Sequence, residues 1–248
     1  MTTELKQLFG ERWNKYFNET PLPIVFFYAD AFQDAEYIET SAGHRCVIAD
    51  LARVRKGTSI AFDAHSIGCS GGKRYFGFSS KIRSNFEYFL SCGIPGEMEG
   101  ERYIRTPEQV NQIVREMSVI PVDKKFIVFR RWDHILPQDD PQAVIFFARP
   151  DVLSGLFTLV NYDHEQGNGV IAPFGAGCAS IVHYPWFENQ KEDPKAVMGM
   201  FDVSARPYVP EDTLTFTIPM KRFEPMVSYM DECFLITDSW KKVMNRLR

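Results

Sequence analysis

The sequence lacks the local cysteine patterns that would assign it a function at once. Its five cysteines stand at positions 46, 69, 92, 178 and 233 and include no Cys-x-x-Cys pair. This spacing argues against zinc ribbons, ferredoxin-type clusters and thioredoxin-like redox pairs. An odd cysteine count with no secretion signal also argues against a disulfide framework. Any metal site must therefore be assembled from distant segments.

The sequence also has no large excess of charge of one sign and no long hydrophobic run. The net charge is −4, and lysine and arginine are interspersed with acidic residues, so no basic surface for nucleic acid is expected. No stretch approaches the roughly 18 apolar residues of a membrane span. The first residues, MTTELK, do not form a signal peptide. We expect a cytoplasmic protein that binds neither nucleic acid nor membranes.

What is present indicates one compact domain over residues 1–248. The chain is 45% hydrophobic and 24% charged, as in ordinary globular proteins, and it has no low-complexity linker. Apolar residues at helical spacing predict a helix over residues 3–17, and Thr106 followed by Pro107 predicts a helix start. Short apolar runs predict strands, among them residues 199–202. The pattern predicts an α+β fold around a mixed or antiparallel sheet.

Two segments of the chain resemble each other. In the first, Cys46 precedes GCSGGKRY at residues 68–75, and in the second, Cys178 precedes FDVSARPY at residues 201–208. In each, a predicted helix led by a cysteine is followed by a strand, a loop of small residues and a tyrosine. The distance from cysteine to tyrosine differs by one residue between the segments, and Cys69 aligns with Asp202.

A duplication would relate two halves, approximately residues 20–95 and 143–235, by a pseudo-twofold axis. Equivalent loops would then face one cleft. The cleft would hold four candidate metal ligands: Cys46, Cys69, Cys178 and Asp202.

The same segments resemble a known family. Arg45–Cys46, the loop Gly68–Phe78 and Gly177–Ala179 are similar to the signature segments of the domain-of-unknown-function 169 family, and the resemblance covers roughly residues 5–245. In that family the loop usually begins Gly-Cys-Pro-Gly-Gly, so Ser70 departs from the pattern. Members typically carry a second Gly-Cys-like loop where this chain has Asp202. The resemblance implies candidate residues but no reaction.

The glycines and Tyr75 are further candidates for binding a cofactor. Gly71 and Gly72 permit backbone conformations closed to other residues, and free N–H groups in such a loop can cradle an anion or a cluster sulfide. The complete candidate set is Gly68, Gly71, Gly72, Tyr75 and Gly177. Cys178 lies at a predicted helix start, where the helix dipole favours a thiolate. Cys92 and Cys233 are predicted to be structural.

Three functions remain open from the residues. Three thiolates and a carboxylate can bind an iron–sulfur cluster or a zinc ion for redox or sensing use, and separated loops around a cleft favour the cluster. A cysteine-dependent enzyme would use Cys69 or Cys178 with His65 or His183 as the base. A non-catalytic protein would bind a small molecule between its aromatic walls. Whether the chain is an enzyme, and its oligomeric state, stay open.

Overall fold

The computed structural model describes residues 1–18, 20–32, 34–39 and 43–247, and within them it forms one α+β domain. The helices are α1 Thr3–Phe17, α2 Val47–Arg55, α3 Ser70–Tyr75, α4 Phe86–Leu90, α5 Pro107–Glu116, α6 Pro150–Val160, α7 Tyr184–Asn189, α8 Met220–Ser228 and α9 Asp238–Met244. The strands are β1 Ile24–Ala29, β2 Glu36–Tyr37, β3 Ile60–Phe62, β4 Phe126–Arg131, β5 Ala143–Ala148, β6 Val170–Ile171, β7 Ala196–Gly199 and β8 Leu214–Pro219.

The sheet has the same topology in its two halves. Its order is β2-β3-β4-β1-β5-β8-β7-β6. In both halves the first strand pairs antiparallel with the fourth, the fourth antiparallel with the third, and the third parallel with the second. The connectivity therefore repeats, with β1 to β4 equivalent to β5 to β8.

The register places the pseudo-twofold axis at one residue pair. β1 and β5 pair antiparallel, with Val25 opposite Val144, Ile24 opposite Ile145 and Phe26 opposite Ala143. Exchanging the two strands maps the outer pairs onto each other and the Val25–Val144 pair onto itself. The predicted half boundaries, 20–95 and 143–235, stay a prediction, and β4 lies beyond residue 95.

Helices cover both faces of the sheet. One face packs Val25 and Val144 against α1, α6, α8 and α9. The other face packs Ile24 and Ile145 against α2 and the segment that begins at Cys178. The residues of both clusters are buried between the sheet and its helices, so the sheet is the middle layer of three.

Two helices begin where the local sequence predicts. Thr2 caps α1 by accepting the Leu5 N–H at 3.2 Å, and the buried face of that helix includes Phe9 and Trp13. At α5, Thr106 and Gln109 form the reciprocal hydrogen bonds of a capping box. Both predicted helix starts are confirmed.

Two expectations near the candidate cleft were wrong. The strand predicted at 199–202 lies at Ala196–Gly199, because Met200 has φ 70, a left-handed conformation that ends the strand. The loop predicted at residues 68–72 is shorter, because α3 already begins at Ser70. Gly71 and Gly72 therefore lie in a helical turn and neither has positive φ.

No helix among the described residues has the length and apolar character needed to cross a bilayer.

Candidate functional site

The two halves place a cysteine at the start of equivalent helices. Cys46 is the N-cap of α2, which follows β2. After β6, Cys178 is the N-cap of a π-helical turn, Ala179–His183, and this turn continues into α7. Both cysteines belong to the hydrophobic cluster on the same face of the sheet. The repeat seen in the sequence thus corresponds to equivalent positions in the fold.

The aligned pair Cys69 and Asp202 also begins equivalent turns. The Sγ atom of Cys69 accepts the Gly72 N–H at 3.1 Å at the start of α3. The Oδ1 atom of Asp202 accepts the Ser204 N–H at 3.0 Å and the Ser204 hydroxyl at 2.8 Å. Its Oδ2 atom accepts the Gly177 N–H at 3.0 Å. Asp202 therefore ties its own turn to the segment that carries Cys178.

The segments that carry these four residues meet through their neighbours. A Cβ on Gly177 would lie 3.5 Å from Ile48 Cγ1, and Asp202 accepts the Gly177 N–H. Burial is the main cause that raises the pKa of the Cys46 thiol, and the charges of Cys69 and Asp202 raise it further. Burial also raises the pKa of the Cys178 thiol well above its usual value, followed by the charges of Cys69, Cys46 and Asp202. The segments of these residues are therefore in contact although they are far apart in the sequence.

The expectation that Cys178 is a thiolate was wrong. Its position at a helix start favours a thiolate, but Cys178 is only 8% exposed and desolvation dominates. Burial likewise raises the pKa of the Cys69 thiol, although the Gly72 N–H and the charge of Lys73 act in the opposite direction. All three thiols are therefore held in the protonated form at neutral pH.

Three of the four candidate glycines allow backbone segments to approach each other. A Cβ at Gly68 would lie 2.8 Å from the Arg45 Cβ, and one at Gly177 would lie 3.0 Å from the Ala205 Cβ. A Cβ at Gly72 would lie 3.0 Å from the Cys69 Sγ. Gly71 has no such restriction, because the nearest atom, of Tyr75, is 3.8 Å away. The glycines serve close packing around the cysteines rather than unusual backbone angles.

Tyr75 packs against His183, which lies on the turn that begins at Cys178. Their ring centroids are 5.5 Å apart, and after burial the charge of Cys178 is the next cause that raises the pKa of Tyr75. Burial lowers the pKa of His183 to about 4, so its imidazole is neutral. His183 Nδ1 is buried and has no hydrogen-bond partner among the described residues.

The π-helical turn explains why His183 joins the site. The Tyr184 N–H bonds to the Ala179 carbonyl, five residues earlier, so one turn spans the distance from Cys178 to His183. Such turns occur frequently at functional sites. The sequence showed the five-residue spacing but gave no signal that the turn would be of the π type. His65, the other histidine considered, is exposed on the loop before α3.

Sequence reasoning missed Tyr103 and Phe174 at the rim of the site. Tyr103 belongs to the segment 76–125, which has no counterpart in the second half. Its ring lies 6.3 Å from that of Phe174, which is 59% exposed. Burial and the hydrogen bond that the Tyr103 hydroxyl donates to the Glu101 carboxylate raise the pKa of Tyr103, and the charge of Asp202 adds to this. No pattern in the sequence indicated that this segment reaches the second half.

Other features lie apart from the thiols. Cys233 is buried in the core of the other face, as predicted, whereas Cys92 is exposed. A groove of about 570 Å³ runs along α1 past Trp13 and Trp132 and includes none of the candidate residues. Across the described residues, no group of three or more histidine, cysteine, aspartate or glutamate side chains is arranged to hold a metal ion.

Comparison with known proteins gives one match. The family model described as "Uncharacterised ArCR", a domain of unknown function, matches residues 16–229. No curated protein and no solved structure was found to match the chain.

Proposed function

The chain belongs to the domain-of-unknown-function 169 family, and we propose that its thiol site, formed by Cys46, Cys69, Cys178 and Asp202, binds an inorganic centre. The centre we propose is an iron–sulfur cluster in preference to a zinc ion. Its use would be in redox chemistry or in sensing.

One observation carries the proposal. Gly68, which precedes Cys69, packs against Arg45, which precedes Cys46, and the Gly177 N–H beside Cys178 donates to Asp202. Core packing alone does not require polarisable side chains at equivalent positions of both halves. Thiolates are the ligands of iron–sulfur clusters and bind zinc as well, so the donor chemistry fits the proposed group.

The protonation of the thiols gives the proposal a measurable consequence. Only thiolates bind metal, and burial keeps Cys46, Cys69 and Cys178 protonated at neutral pH. Binding to all three must therefore release about three protons. We expect affinity to increase as the pH rises, which competition with a chelator between pH 6 and pH 8 measures.

A cluster is proposed over a single ion because separated loops around a cleft suit a bulky centre. Thiolates of a polynuclear centre bind different metal atoms and so lie further apart than four ligands of one ion. Asp202 is the fourth candidate donor. Both of its oxygens already accept hydrogen bonds, and each retains a further lone pair.

Anaerobic purification followed by metal and sulfide analysis tests the proposal. A brown protein with a broad absorption band near ~400 nm is expected of a bound cluster. Cys46→Ser, Cys69→Ser and Cys178→Ser should each reduce bound iron at least severalfold. Cys92→Ser is the matched control, because Cys92 is an exposed thiol away from the site. Protein that stays colourless and metal-free after cluster reconstitution would refute the proposal.

A small-molecule site is the second candidate. The unpartnered Nδ1 of His183 favours it, because a polar group of a ligand would satisfy this buried atom. That role predicts a thermal shift with a ligand that persists in Cys69→Ser. A cysteine-dependent enzyme is less well supported, because burial raises the pKa of every thiol at the site. Its test is alkylation at pH 6, where one reactive cysteine would be labelled far faster than the others.

A further inference from the structure

The backbones that carry Cys46 and Cys69 are in direct contact. A Cβ built on Gly68 would lie 2.8 Å from the Cβ of Arg45 and 3.0 Å from its backbone nitrogen. Gly68 and Arg45 each immediately precede one of the cysteines. Only a residue without a side chain permits this approach.

Gly72 brings the start of α3 against the segment of Cys46. A Cβ on Gly72 would lie 3.0 Å from the Cys69 Sγ and 3.4 Å from Val47 Cγ2. The Cys69 sulfur and the side chain of Val47, the residue that follows Cys46, therefore both border Gly72.

The two cysteines are both partly accessible. Cys46 and Cys69 are both half-buried, whereas Cys178 and Cys233 are buried. Cys92 is exposed but lies in a different part of the chain. A small reagent thus reaches a pair of neighbouring thiols in this cleft before it reaches Cys178.

From these contacts we propose that Cys46 and Cys69 form a reversible dithiol–disulfide pair that exchanges with small organic disulfides. A disulfide needs Cα atoms within about 7 Å and converging side chains, and the contact of Gly68 with Arg45 holds the two segments at short range. Oxidation would withdraw two of the three thiol ligands, so the use of this pair to release a metal centre rests on the proposed function. The pair itself does not.

The exchange takes place in two displacements. Cys69, once it has lost its proton, attacks one sulfur of the small disulfide, which forms a mixed disulfide and expels one thiolate. The Cys46 thiolate then attacks the Cys69 sulfur, which forms the internal bond and expels the second thiolate. The protons of the two cysteines pass to the leaving thiolates. Two electrons move from the protein to the small disulfide, which is reduced to two thiols.

Peptide mapping of oxidised protein tests the pair. Reduced full-length protein, freed of metal with a chelator, is incubated with oxidised glutathione, its remaining thiols are blocked, and the digest is analysed by mass spectrometry. We expect one cross-linked peptide joining Cys46 to Cys69, which dithiothreitol cleaves. In Cys46→Ser, glutathione should remain on Cys69 at least several times longer than in the unaltered chain, because the second displacement is lost.

Cys92→Ser is the control, and it should form the internal bond at the unaltered rate. A bond to Cys178, or glutathione on both cysteines without an internal bond, would overturn the proposal. Failure here is separable from failure of the proposed function. A brown protein that forms no internal disulfide would support the metal centre and refute the cysteine pair. A colourless, metal-free protein that forms the disulfide would refute the metal centre and support the pair.

Discussion

At the scale of single residues, Gly71 and Gly72 have different roles although they are adjacent and identical. A Cβ at Gly72 would lie 2.9 Å from Ile67 Cγ2 and 3.0 Å from the Cys69 sulfur, whereas a Cβ at Gly71 has space. The sequence predicted that both glycines belong to the site. It could not separate them, because the difference arises from neighbours that only the folded chain supplies.

We expect Gly72→Ala to destabilise the protein and Gly71→Ala not to. The added methyl group at position 72 overpacks the contact with Ile67 and Cys69, which typically costs about 1–3 kcal/mol. At position 71, alanine favours the helix and should leave the free energy of unfolding unchanged or raise it by up to about 1 kcal/mol. Urea denaturation of both variants measures the difference. Equal stabilities would contradict the assigned packing.

The buried His183 makes stability depend on pH. Its pKa is about 4 in the folded protein against 6.5 for an unperturbed histidine, so the unfolded chain binds the proton first as the pH falls. The free energy of unfolding should therefore decrease between pH 6.5 and pH 4, by roughly 3 kcal/mol from this residue. His183→Phe should flatten that part of the profile. Parallel profiles for His183→Phe and the unaltered chain would show that this imidazole is not held neutral.

At the scale of elements, some were predictable from the sequence and others were not. α1 and α5 have capping residues and apolar periodicity within their own segments, so local rules suffice for them. The end of β7 depends on the left-handed Met200, and the π-helical turn depends on how Cys178 and His183 pack against the rest of the fold. Neither has a local signature.

The segment 76–125 is expected to limit access to the thiols. It contacts the second half through Tyr103, whose ring meets Phe174 and whose hydroxyl interacts with Ser204. Tyr103→Ala should therefore increase the rate at which iodoacetamide labels Cys69 severalfold. Tyr88→Ala, at an exposed position of α4 in the same segment, is the control. Equal labelling rates in the two variants would mean that the contact does not restrict the cleft.

At the scale of the whole molecule, the internal repeat was the most useful sequence feature. It predicted that Cys46, Cys178 and the aligned pair Cys69 and Asp202 occupy equivalent positions, and the strand order reproduces that equivalence. The same reasoning could not predict that burial would suppress the thiolates. Desolvation depends on the complete three-layer packing and not on the position of a residue along a helix.

Because both halves share one continuous sheet, the protein should unfold in a single cooperative transition. Trp13, Trp132 and Trp240 lie in the cluster on one face, and Trp186 packs on the other. Tryptophan fluorescence and far-ultraviolet circular dichroism should therefore give coincident urea curves. Two separated transitions would show that the halves are independent folding units.

The pseudo-symmetric strand order has a consequence for how molecules meet. Both edge strands, β2 and β6, are two residues long. Each edge of the sheet therefore offers few backbone groups to which a strand of a neighbouring molecule could hydrogen-bond. Short rims of this kind protect against fibre growth by strand addition. Because the two halves are alike, both edges of the sheet have the same protection against strand addition.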